Sequence, residues 1–184
     1  MNIKNYSIRL FEFLSAQGLI KTYLITLFVT YSLITWGQTT ITIGTGTTYS
    51  YDVPSLFRGY YEDSRNQFII TSSELSGAGL ASGYELTSLA FNIRTKSSSL
   101  PFNGFTVKLA HTSTSTFSSA TWLTPTFTTV FSDDFETAEG WNELEFTSNF
   151  TWNGTDNIVI EICWDNANDS YYSNDSDEFY YTST

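Results

Sequence analysis

Apolar and polar residues alternate with a period of two along much of this chain. Leu89, Phe91 and Ile93 mark one face of a strand over Glu85–Arg94. Phe105, Val107 and Leu109 alternate with Thr106, Lys108 and Ala110, the pattern of a half-buried strand. Asn142, Leu144 and Phe146 occupy one face of a further strand, and Trp141, Glu143 and Glu145 occupy the other. Ile158, Ile160, Ile162 and Trp164 share a face, but here Val159 and Cys163 are apolar on the opposite face and flank Glu161. Apolar residues on both faces predict a central strand covered on both sides, with Cys163 a small buried side chain. Shorter extended stretches are predicted at Thr39–Ile43, Phe57–Tyr61, Asn66–Thr71 and Phe127–Phe131.

Polar punctuation falls between these strands. Ser72-Ser73-Glu74-Leu75 predicts one helical turn ended by Gly77 and Gly79. Lys96–Ser99, an acidic stretch Asp133–Glu139 broken by Gly140, and Asn153-Gly154-Thr155-Asp156-Asn157 read as turns, and Thr112–Ala120 as a Ser/Thr-rich connection. Short strands with polar turns and no long helical period predict an all-β antiparallel β-sandwich, jelly-roll or immunoglobulin-like. The final Glu178–Thr184, EFYYTST, reads as a strand just begun, so the sandwich is expected to be truncated at its C-terminal strand and to belong to a longer protein.

The first 37 residues have a different character. Lys4, Arg9 and Lys21 precede an apolar run, Tyr23–Ile34, and then Trp36-Gly37. That order predicts a signal peptide over residues 1–37, with the sandwich domain over 38–184 and a secreted or cell-surface location. The run is short for a bilayer span, so the only membrane attachment expected is an uncleaved signal segment.

Charge narrows the partners. The formal net charge is -11, and Lys108 is the last cation in the chain. An acidic half repels phosphate backbones, which argues against nucleic acid. A single cysteine, Cys163, excludes an internal disulfide and a cysteine metal cluster.

Candidate chemistry is sparse. His111 is the only histidine, and no Gly-x-Ser-x-Gly pattern surrounds a serine. Gly44-Thr45-Gly46 lacks the third glycine of a nucleotide loop. Glu143 and Glu145 lie two apart on one strand, roughly 7 Å from one another by strand rise, a spacing open to a glycosidase pair but without any supporting motif. No catalytic residue is therefore assigned, and the protein is expected not to be an enzyme. A ligand-binding patch is the stronger expectation. Trp141 shares its face with Glu143 and Glu145, and an aromatic ring beside carboxylates suits sugars: the ring stacks on C–H groups while the oxygens accept hydroxyl hydrogens. Trp152 is a candidate for the same patch, with Trp122, Tyr171 and Tyr172 as further loop aromatics. Asp165, Asn166, Asn168 and Asp169, followed by Asp175, Asp177 and Glu178, are hard oxygen donors that would suit a structural calcium ion. No other cofactor is expected.

Several segments together carry a family resemblance. They are Ile43-Gly44-Thr45-Gly46-Thr47-Thr48, Tyr60-Tyr61-Glu62-Asp63-Ser64-Arg65-Asn66-Gln67, Leu89-Ala90-Phe91-Asn92-Ile93, Val107-Lys108-Leu109-Ala110-His111-Thr112, Gly140-Trp141-Asn142 and Trp152-Asn153-Gly154-Thr155-Asp156-Asn157-Ile158-Val159-Ile160-Glu161. Over residues 38–184 the chain resembles the N-terminal β-sandwich module of large secreted and cell-surface proteins of Bacteroidota. Those proteins are associated with type IX secretion and often continue into fibronectin type III or immunoglobulin-like repeats. The resemblance implies a non-catalytic extracellular module for adhesion or for binding a glycan or surface protein. The alternative is the accessory N-terminal domain of a secreted hydrolase, a peptidase or glycosidase.

Overall fold

The computed structural model describes residues 38–44, 46, 48–50, 56–59, 63–118, 121–166 and 175–182. The chain divides into two compact units, Met1–Thr40 and Ile41–Thr184. The expected signal peptide, residues 1–37, lies outside the described residues. Among the described residues no helix is long and apolar enough to cross a membrane.

The second unit is an all-β sandwich. Its strands are β1 (Thr48–Ser50), β2 (Asp63–Ile70), β3 (Glu85–Thr95), β4 (Phe102–Thr112), β5 (Thr128–Phe135), β6 (Gly140–Thr151), β7 (Asn157–Asp165) and β8 (Glu178–Tyr181), with one short helix, α1 (Ser72–Gly77). The first sheet has the order β1-β8-β3-β6 and the second β2-β7-β4-β5. All pairings are antiparallel, and they join β1 to β8, β2 to β7, β3 to β6 and β4 to β5. The described strands of this unit thus form one long hairpin with its tip at β4–β5, rolled up so that successive rungs fall in alternate sheets. That is the strand order of a jelly roll. The closing segment expected from Glu178 is a four-residue strand seated between β1 and β3.

Inward faces of both sheets meet in an aromatic core. Phe57 is fully buried and packs against Phe91 and Phe179 of the first sheet and Phe102 and Phe105 of the second, with ring centroids 5.6–6.2 Å apart. Phe57–Tyr61 is expected as a strand, but its described part, Phe57–Gly59, is irregular. Its bulk serves as a plug between the sheets rather than as a ladder rung. Trp164 closes one end of the core, with its Nε1 donating to Leu56 O at 3.1 Å. Helix α1 is started by a capping box. The Glu74 amide donates to Thr71 Oγ1 at 3.3 Å, and the Thr71 amide donates to Glu74 Oε2 at 2.8 Å.

Two further expectations are corrected. Thr39–Ile43 joins no sheet; the opening strand is Thr48–Ser50 instead. The acidic stretch from Asp133 is not a turn at its start, because β5 runs on to Phe135. As an edge strand, β5 turns Asp133 and Asp134 to solvent while Phe135 reaches Phe105 at 5.1 Å. Edge strands tolerate such outward charge, and it discourages pairing with another chain.

Candidate functional site

Trp141, Glu143 and Glu145 come together as the alternation predicts. They project from β6 on the outer face of the first sheet, while Asn142 and Leu144 between them are buried. Trp141 is 64% exposed, the most exposed large hydrophobic residue among those described. Directly across on β3 lie Asn92, Ala90 and Ser88, paired with Trp141, Glu143 and Glu145 respectively. These side chains are small, so β3 forms a low floor beside the taller row on β6.

The other side of that floor is built by β8 and β1. Ile93 pairs with Phe179, which places Asn92 beside Tyr180. Tyr180 pairs in turn with Tyr49, and their rings meet edge to face at 6.4 Å. The Arg94 guanidinium lies 3.8 Å over the Tyr49 ring and is ion-paired with Glu178, which also accepts from Thr95 Oγ1 at 3.1 Å. Cation–π and carboxylate contacts together hold this corner in one arrangement.

Trp152 does not belong to the face. It is only 2% exposed, and its Nε1 donates to Asp156 O at 2.8 Å. Its backbone is bonded to Tyr84 and Gly83 in the adjoining turn. A buried indole whose N–H already has a backbone partner is a structural element of the hairpin, not a ligand platform. Within that turn, Asn153 Oδ1 accepts from the Thr155 and Asp156 amides, and Gly154 sits at φ +82° against Ser82. His111 is occupied likewise: Nε2 accepts from the Asn153 amide at 3.2 Å, and the ring lies on Phe150.

The calcium ligands expected after β7 are only partly described. Asn168 and Asp169 lie outside the described residues, as do Tyr171 and Tyr172. Asp165 is exposed at the end of β7, opposite Asp63. Asn166 is buried, and its Oδ1 accepts from the Asn103 amide at 2.8 Å, so that oxygen is committed inward. Asp177 is also turned inward. It is fully buried and accepts from the Ser97 and Ser98 amides at 2.8 and 2.7 Å and from the Ser98 and Thr137 hydroxyls at 2.8 and 2.6 Å. Four donors around one carboxylate make it a structural anchor for the strand that follows. Among the described residues no group of three or more His, Cys, Asp or Glu is placed to hold a metal ion.

The second sheet has a different outer face. Glu161 is central on it and only 4% exposed. Its carboxylate accepts from Arg65 Nε at 2.9 Å, Gln67 Nε2 at 2.8 Å and Lys108 Nζ at 3.2 Å. The segment leading into β5 lies over this cluster: Gln67 exchanges hydrogen bonds with the Leu123 backbone, and Arg65 stacks on the Trp122 ring at 4.8 Å. Burial alone would raise the Glu161 pKa, but the bonds from Arg65, Gln67 and Lys108 outweigh it and hold the carboxyl below its ordinary value. Cys163 is half-buried rather than buried, and burial, then the neighbouring Glu161 charge, push its thiol up. The flanking Val159 and Cys163 signalled the cover over Glu161; nothing local in the sequence signalled its three partners.

Searches against protein-family models, curated proteins and solved structures find no significant match to this chain.

Proposed function

We propose that this protein is a non-catalytic extracellular or cell-surface module that binds glycans through the outer face of its first sheet. The observation carrying this reading is Trp141, 64% exposed at the start of β6 and followed on the same face by Glu143 and Glu145. An exposed indole costs solvation free energy and contributes nothing to the core, so its placement beside free carboxylates fits recognition of a ligand with both C–H faces and hydroxyl donors. The predicted signal segment and the likeness to surface modules of Bacteroidota agree with an extracellular setting and with adhesion as the purpose of binding.

The test is a glycan array probed with the full chain, followed by titration of the retained glycans into the Trp141→Ala variant. The expected result is retention of neutral glycans, with affinity falling at least tenfold in the variant, about 1.4 kcal/mol. Absence of any retained glycan, or unchanged affinity in the variant, refutes the reading.

A further inference from the structure

Resting on the glycan-binding reading, we infer that the ligand is a neutral, linear oligosaccharide lying along β3, with one ring clamped between Trp141 and Tyr180 over Asn92. The sheet register supplies the clamp. Trp141 and Tyr180 stand on the strands either side of β3, with Asn92 between them. Two strand spacings separate their backbones, roughly 10 Å. A flat sugar ring between two aromatic rings takes about 4 Å of contact distance on each side, which fits that opening. Asn92 on the floor offers both a donor and an acceptor to ring hydroxyls.

From this clamp the floor continues in one direction only. Ala90 and Ser88 extend it along β3, each step about 7 Å. Beside them stand Glu143 and then Glu145. Each ring of an extended pyranose chain advances somewhat less than one such step, so the rings beyond the clamp run past Glu143 and Glu145 without a one-to-one register. The run stops where the β3–β6 register slips between Leu86 and Ser88. About three rings therefore fit. In the other direction the long Arg94 stem ends the run of small residues on β3, its guanidinium held by Glu178 and the Tyr49 ring. Because Tyr180 already packs edge to face on Tyr49, which Arg94 covers, the clamp needs little ordering when the ligand arrives.

Charge sets the class. Arg94 is neutralised by Glu178, and no cation among the described residues is ion-paired with Glu143 or Glu145 along the trough. Uronic-acid or sulfated chains would be repelled by them. A proline-rich peptide could stack on the same rings, but its prolines carry no N–H for Glu143 and Glu145, so the carboxylates favour a hydroxyl-rich ligand.

The experiment uses the full chain and β-linked gluco-, manno- and galacto-oligosaccharides, from disaccharide to pentasaccharide, titrated by calorimetry. A matched oligouronate and a proline-rich peptide serve as comparison probes. Affinity is expected to rise at least tenfold from disaccharide to trisaccharide and to level off beyond it. Ala90→Tyr, an exposed substitution that fills the floor next to the clamp, is expected to remove that gain and to weaken the disaccharide as well. The Glu143→Gln, Glu145→Gln double variant is expected to admit the oligouronate. If the trisaccharide binds with Trp141 dependence but Ala90→Tyr leaves it unchanged, the path along β3 is wrong and the glycan reading survives. If no oligosaccharide binds, the glycan reading falls too. Preferential binding of the proline-rich peptide overturns both.

Discussion

The two outer faces of this sandwich both carry strand carboxylates, Glu161 on the interior strand β7 and Glu143 and Glu145 on the edge strand β6, and treat them in opposite ways. On the second sheet, Glu161 is surrounded by Arg65, Gln67 and Lys108 and roofed by the segment containing Trp122. On the first sheet, Glu143 and Glu145 face solvent over a floor of small residues, with an exposed Trp141 beside them. Both are acidic residues on β-strands, flanked by core positions. What separates them is the company brought by the partner strands: β2 and β4 deliver cations to Glu161, whereas β3 delivers Ser88, Ala90 and Asn92 to β6. One face satisfies its polar groups internally. The other leaves them available.

Mutation tests that contrast. Asp177→Ala should have the largest effect, because it removes the shared acceptor of two amides and two hydroxyls and leaves the buried Ser98 amide without a partner; a loss of about 3 kcal/mol is expected from urea unfolding, and a loss under about 1 kcal/mol would show the anchor to be dispensable. Glu161→Ala should follow at about 2 kcal/mol, moderated because Arg65 and Lys108 are partly exposed and can rehydrate.

Glu161 also sets a pH dependence. Its folded pKa is lowered, so the ionised form is favoured by folding. The resulting stability is fully present above the unfolded glutamate value, about 4.3, and is lost as the pH falls through the lower folded value. The stability difference between the native chain and Glu161→Gln should therefore be constant near neutrality and shrink below about pH 4. A difference that grows on acidification would contradict the assignment.

Trp122→Ala removes the cation–π cover over Arg65 and should cost about 0.5–1 kcal/mol. Glu143→Gln and Glu145→Gln, on the open face, should each change stability by less than about 0.5 kcal/mol. A larger loss at either would mean that the open face has a structural duty.

The legible part of this architecture is the part encoded within single strands. The i, i+2 spacing of Trp141, Glu143 and Glu145 placed them on one face, and Val159 and Cys163 signalled the cover over Glu161, because strand geometry depends only on local sequence. What crosses strands was not legible. Asp177 sits in an Asp-rich stretch that looks like a solvated loop, yet its donors Ser97 and Ser98 lie 80 and 79 residues away. Tyr180 and Asn92 become neighbours of Trp141 only through the β8–β3–β6 order. Trp152, beside a polar turn, looks exposed by position; its burial depends on Asp156 closing over the indole N–H. Phe57 reads as a strand residue because its role as a plug exists only once two sheets face one another.

Two exposed tryptophans let the faces be compared in a single assay. Trp141 and Trp122 are 64% and 49% exposed, on opposite faces of the sandwich. Neutral oligosaccharides are titrated by calorimetry into the full chain and into each alanine variant. Trp141→Ala is expected to abolish binding with its unfolding midpoint unchanged, while Trp122→Ala binds like the native chain. Binding that survives Trp141→Ala, or that is lost in Trp122→Ala alone, would put the ligand on the second sheet and contradict a glycan site on the first.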